Sequence, residues 1–82
     1  MMEYAQGTLK LHNRFLALLA AKETREGRRI RNKEIAQVLG INEHTVARWI
    51  RNDVTKIDVP VLERFCAYFE CDVGDLLYIN NE

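Results

Sequence analysis

The sequence predicts an all-α fold, and three observations carry that prediction. Apolar residues recur at helical spacing in separate stretches, turn-forming glycines and polar capping residues punctuate them, and no stretch alternates apolar and polar residues with period two. The 82 residues suffice for one domain, since a chain of this size buries only about 60% of its unfolded surface and has no material for a second core. A hydrophobic content of 48% with a single proline separates it from disordered tails.

Residues 1–8 show no period and are expected to be a flexible N-terminal arm, with Thr8 placed to cap the helix that follows. The folded domain is then residues 9–82. Leu11, Phe15, Leu18 and Leu19 stand at i, i+4, i+7 and i+8, which predicts an amphipathic first helix over about Leu9 to Lys22. Glu23 to Arg31 is charged, contains Gly27 and crowds Arg25, Arg28, Arg29 and Arg31 together, so it reads as a basic connection.

Asn32 to Leu39 sets Ile35, Ala36 and Leu39 at helical spacing, and Gly40 follows where a helix end favours a left-handed residue. Asn42 is a good N-cap, so a third helix starts at Glu43 and runs to about Arg51, with Val46, Trp49 and Ile50 inward. Asn52 to Ile57 is a polar connection. Asp58 can cap a fourth helix over about Val59 to Glu70, with Pro60 tolerated in its first turn and Leu62, Phe65, Cys66 and Phe69 as its stripe. Asp72 and Asp75 form a capping arrangement for a short fifth helix, Val73 to Leu77.

Cys66 and Cys71, the only cysteines, belong to no Cys-x-x-Cys pair or zinc-type cluster and are expected to be reduced, so no metal or other cofactor is expected. The N-terminus lacks the pattern of a secretory signal, and no apolar run approaches the roughly 18 residues of a membrane span, so a cytoplasmic protein away from membranes is expected. Net charge is zero but unevenly spread. Between Lys10 and Lys56 eleven Lys and Arg face five acids, whereas from Ile57 to Glu82 Arg64 stands alone against six acids. Such a dipolar molecule can turn one face to a polyanion and keep the other away from it.

The second and third helices carry a more specific signal over about Arg31 to Arg51. With Asn32 as first position, apolar residues fall at the fourth (Ile35), eighth (Leu39), tenth (Ile41), fifteenth (Val46) and eighteenth (Trp49), with Ala36 fifth and Gly40 ninth. Ala36 lets two helices approach closely, Gly40 makes the sharp turn, and the apolar set fills the angle between them, as a helix-turn-helix requires. At these residues the chain resembles the Cro and lambda-repressor type of helix-turn-helix, the xenobiotic response element family. The stretch from Leu62 through Phe65, Cys66, Phe69 and Cys71 to Val73-Gly-Asp-Leu-Leu looks like the last two helices of that family's small stand-alone members. The resemblance covers about Leu9 to Leu77 and implies a five-helix lambda-repressor-like domain, transcriptional repression or activation, and no catalysis; of the two, repression is the expectation. Two departures stand out. Arg31 and Asn32 occupy places where the family has Ser or Thr followed by Gln, which shifts the expected cap to Asn32, and the connection near Glu26 and Gly27 is longer than usual.

At 100° per residue, Trp49 and Ile50 lie within about 60° of Val46, while His44, Arg48 and Arg51 lie about 140° to 200° away and face outward. Arg48 suits a bidentate pair with guanine; His44 and Thr45 can donate to base acceptors or touch a thymine methyl, and Glu43 can accept from a cytosine amino group. The resemblance places base readers at the same four positions, Glu43, His44, Thr45 and Arg48. Arg28, Arg29, Arg31, Asn32, Lys33, Arg51 and Lys56 are candidates for phosphate contact on double-stranded DNA. Trp49 belongs to the core by its phase, and Cys66 likewise. His12 and His44 lie far apart in the sequence and belong to no recognisable catalytic pattern, so an enzyme is not expected. A homodimer, formed at least on DNA, is expected because two-fold proteins read paired half-sites, with Tyr68, Tyr78 and Ile79 as candidate interface residues. The different-class alternative is an antitoxin or another protein-interaction module on the same fold.

Overall fold

Phe15 has no exposed surface and is the hub of the core. Its ring meets Phe65 and Phe69 edge-on, each with centroids 5.0 Å apart, and leans on Trp49 at 6.3 Å. The computed structural model describes residues 9–81. In chain order these form β1 (Leu9–Asn13), α1 (Phe15–Glu26), α2 (Asn32–Leu39), α3 (Glu43–Ile50), α4 (Val59–Phe69), α5 (Val73–Leu76) and β2 (Leu77–Asn81). One cluster of Phe15, Leu19, Ile30, Ile35, Ala36, Val46, Trp49, Phe65, Phe69 and Leu76 holds the helices together, and no buried polar residue interrupts it among the described residues.

Among the described residues five helices are present, but the all-α expectation is corrected by a two-stranded antiparallel sheet. Leu9 to Asn13, expected as the first turn and more of the first helix, pairs with Leu77 to Asn81 in the register Leu9↔Asn81 to Asn13↔Leu77. Leu9 and Leu11 do alternate with Lys10 and His12, against the expectation that no segment has period two. The four-residue step from Leu11 to Phe15 imitated a helix. Asn13 prevents that helix from extending backward, because its Oδ1 accepts the N–H of Phe15 at 2.9 Å. The expected arm and the Thr8 cap lie outside the described residues.

The first helix also ends later than Lys22. It runs to Glu26, where Gly27 at φ 66° supplies the left-handed terminator and donates its N–H to the Glu23 carbonyl. Lys22 pairs with Glu26 at 2.9 Å one turn on, and Arg25 suits the carbonyl end of the helix. The basic connection is thereby shortened to Gly27–Arg31. At α2 the N-cap is Arg31, with no side-chain cap, and Asn32 is the first helical residue instead of the cap.

Elsewhere the local chemistry acts where its residues stand. Gly40 adopts φ 67°, and the N–H groups of Gly40 and Ile41 both reach the Ala36 carbonyl, which folds α3 back against α2 in a turn of three residues. Asp72 and Asp75 form the reciprocal capping box of α5. Asp58 is the exception: it stands at the N-cap of α4 as expected, but its side chain makes no capping bond. Val46 and Trp49 are buried, Ile50 is half-buried, and Cys66 packs half-buried against the core as a free thiol.

Candidate nucleic-acid interface

α3 starts at a cap made by its own sequence: the Asn42 side chain accepts the His44 N–H at 2.6 Å. Trp49 anchors the other face, stacked edge-on to Phe65 with centroids 4.9 Å apart. With the buried face fixed, Glu43, His44, Arg48 and Arg51 are exposed and Thr45 is half-buried.

Two shallow grooves flank this outward face. One, of about 500 Å³, is lined by Asn32, Asn42, Glu43, His44 and Ala47, and so brings the start of α2 beside the start of α3. The other, of about 360 Å³, places Thr45 and Arg48 with Lys56 and with Asp58, an acid that tempers the local charge. A third depression, of about 770 Å³ between α1 and α2, gathers Arg28, Arg29, Arg31 and Asn32. Lys33 is exposed on α2, and exposed Arg51 lies outside these grooves, 3.9 Å from Asp53. The base-reading candidates thus divide in pairs, Glu43 and His44 bordering the groove that holds Asn32, and Thr45 and Arg48 bordering the groove that holds Lys56.

Arg28 has a different occupation from its neighbours. Its guanidinium grips both carboxylate oxygens of Glu34, at 2.9 and 2.7 Å, and also bonds Glu26 at 3.0 Å. The fork ties the end of α1 to the first turn of α2. Arg28's hydrogen bonds hold the Glu34 carboxyl below its ordinary range, and Lys22, with Arg28, does the same for Glu26. These links therefore act in full above the ordinary glutamate range and are lost as pH falls through the lowered values. Glu23 adds a further tie by accepting the Ile30 N–H at 2.8 Å. Carboxylates within and beside the basic stretch thus set its shape.

One residue went unnoticed in the sequence. Asn52, just past α3, takes up the left-handed conformation at φ 59°. Its Oδ1 accepts from the Asn13 N–H at 2.9 Å and from Asn13 Nδ2 at 3.2 Å, while its Nδ2 lies 2.7 Å from His12 Nδ1. The end of α3 is thereby moored to β1. The available signal was an asparagine directly after a helix end, one of the few non-glycine residues that tolerates this conformation. Asn52→Gly, which keeps the backbone conformation and removes the side-chain bonds, is expected to cost about 1–2 kcal/mol in urea unfolding. Asn52→Ala is expected to cost roughly 1 kcal/mol more, from left-handed strain. Equal losses would show that the conformation contributes nothing.

Two short helices joined by a glycine turn, the second exposing a polar face flanked by cations, define the helix-turn-helix class of DNA-binding domains. The chain belongs to the family of Cro/C1-type helix-turn-helix DNA-binding domains, whose model matches residues 22–82. A crystal structure of the transcriptional regulator VanUg (form II) shares the fold, with a TM-score of 0.65 and 24% sequence identity over 100% of this chain and 99% of that one. No curated protein matches the chain. Among the described residues, no helix is long and apolar enough to cross a membrane.

Proposed function

We propose that the protein is a transcriptional regulator that binds a specific double-stranded DNA operator as a homodimer, with α3 in the major groove, and that it represses. The observation that carries this reading is the exposed side of α3, where Glu43 and His44 border a groove that contains Asn32, and Thr45 and Arg48 border one that contains Lys56. Arg48 reads a guanine, and the other three discriminate more weakly. Arg29, Arg31, Lys33, Arg51 and Lys56 contact phosphates, joined by the start of α2, where no side chain caps the helical N–H groups and Asn32 stands at the first turn. Arg28 acts on the same surface from behind, by fixing the loop that carries Arg29 and Arg31. Repression requires only that the operator be occupied.

Selection from a random duplex library tests the reading: a recovered two-fold motif is the expected result, and failure to enrich any sequence overturns it. Binding is also expected to be strongly salt-dependent. With about four to six phosphates neutralised per subunit, log K falls against log salt with a slope of roughly −4 to −5 per subunit. A fluorescence-anisotropy titration across several salt concentrations checks this, and a flat response would sink the phosphate assignment.

A further inference from the structure

We propose that β2 pairs with β2 of a second copy, merging two strand pairs into one four-stranded antiparallel sheet about a two-fold axis at Ile79. This deepens the reading of the protein as a two-fold operator binder by naming the surface that joins the two halves.

The register identifies the edge. Arg14 donates its N–H to the Leu76 carbonyl at 2.8 Å, in phase with the pairs His12↔Tyr78 and Lys10↔Asn80. Antiparallel alternation then turns the N–H and C=O groups of Leu77, Ile79 and Asn81 away from β1. Leu77 donates to Val73 within α5, so Ile79 holds the central outward pair. Among the described residues, no further strand continues the sheet beyond β2. The outer edge of β1 differs, because its Asn13 N–H is bound to Asn52.

The chemistry of β2 favours a copy of itself as the occupant. Leu77-Tyr-Ile-Asn-Asn contains no charge and no proline, the usual devices by which an edge strand resists pairing. A two-fold axis at Ile79 sets that residue opposite itself as a hydrogen-bonded pair, with Tyr78 opposite Asn80, so no like charges meet. Leu9, Leu11 and Ile79 are 44%, 38% and 60% exposed, and Leu11 and Ile79 are direct cross-strand partners. Two copies would continue them into one apolar row, Leu11, Ile79, Ile79 and Leu11, each side chain flanked by another. β1 carries Lys10 and offers no such neutral match.

Analytical ultracentrifugation of the full chain, alone and on its selected duplex, tests the interface with two variants. Ile79→Pro removes the outward donor and leaves the β1–β2 bonds, which do not use it; Ile79→Lys sets two ammonium groups against each other across the axis. The expected result is a wild-type dimer whose dissociation constant rises at least tenfold in either variant. Affinity for the two-fold site falls at least tenfold, while circular dichroism and affinity for a half-site duplex stay unchanged. Should Ile79→Pro lose helicity, Ile79→Lys, at an exposed position, decides the matter. A wild type that sediments as a monomer both free and on DNA, or variants that remain dimers, overturns the proposal. A chain that dimerises through Ile79 yet selects no DNA sequence keeps this interface and removes the operator reading.

Discussion

Trp49→Ala is expected to lose about 3–5 kcal/mol of stability, the cost typical of deleting a large buried ring, and to leave much of the population unfolded. A small domain has only about 5–15 kcal/mol in total. Trp49 is 4% exposed and lies between Phe65 at 4.9 Å and Phe15 at 6.3 Å, so its removal strips contacts from α1 and α4 together. The effect on DNA binding follows from the effect on folding, since nothing else of that size holds α3 to the bundle. Thermal and urea unfolding monitored by circular dichroism measure it. A variant with an unchanged melting temperature that loses only DNA affinity would place the indole at the interface instead.

Arg48→Ala and Arg51→Ala are expected to differ in kind. Arg48 lies on the outward face of α3, beside Thr45 and Lys56, where on the proposed orientation a guanidinium reaches the groove floor. Its loss weakens the best site by about 1–3 kcal/mol and flattens the preference at one base pair, a guanine, with random DNA less affected. Arg51 caps the C-terminal end of α3, where the DNA backbone passes on the proposed orientation, and its loss is expected to weaken all sequences alike and to lower the salt slope by about one. Both variants keep wild-type helicity because both side chains are exposed. Titrations against the selected site, its single-base-pair variants and random duplex at two salt concentrations separate the two effects. Discrimination that survives Arg48→Ala and vanishes in Arg51→Ala would mean that α3 enters the groove in another orientation.

The helix-turn-helix was legible in the sequence because each of its parts is set within a few residues. Ala36, Gly40 and Asn42 act through local backbone geometry, and the stripe of Val46 and Trp49 needs no distant partner to be recognised. The strands were not legible for the opposite reason. Leu9 to Asn13 alternates over only five residues, which the spacing of Leu11 and Phe15 overrode, and its partner lies at the far end of the domain. Asn52 was obscured in the same way, since its mooring bonds run to Asn13 and His12. Arg28 exposes a limit of counting charges: a segment rich in arginine reads as basic, yet the hydrogen bonds that commit Arg28 to Glu34 and Glu26 depend on how α1 and α2 meet.

The strand pair also bears on the order in which the domain assembles. Each helix, and the α2–α3 turn, is stabilised by neighbours close in the chain and can form on the microsecond scale. Joining Leu9–Asn13 to Leu77–Asn81 closes a loop around all five helices, a contact whose entropic cost is met only once the bundle has drawn the two segments together. The clasp is then the last element to form and the first to open. Because Asn52 hangs from it, its opening releases the side-chain bonds that tie the end of α3 to β1 while the aromatic core stays closed, so that mooring can loosen without global unfolding.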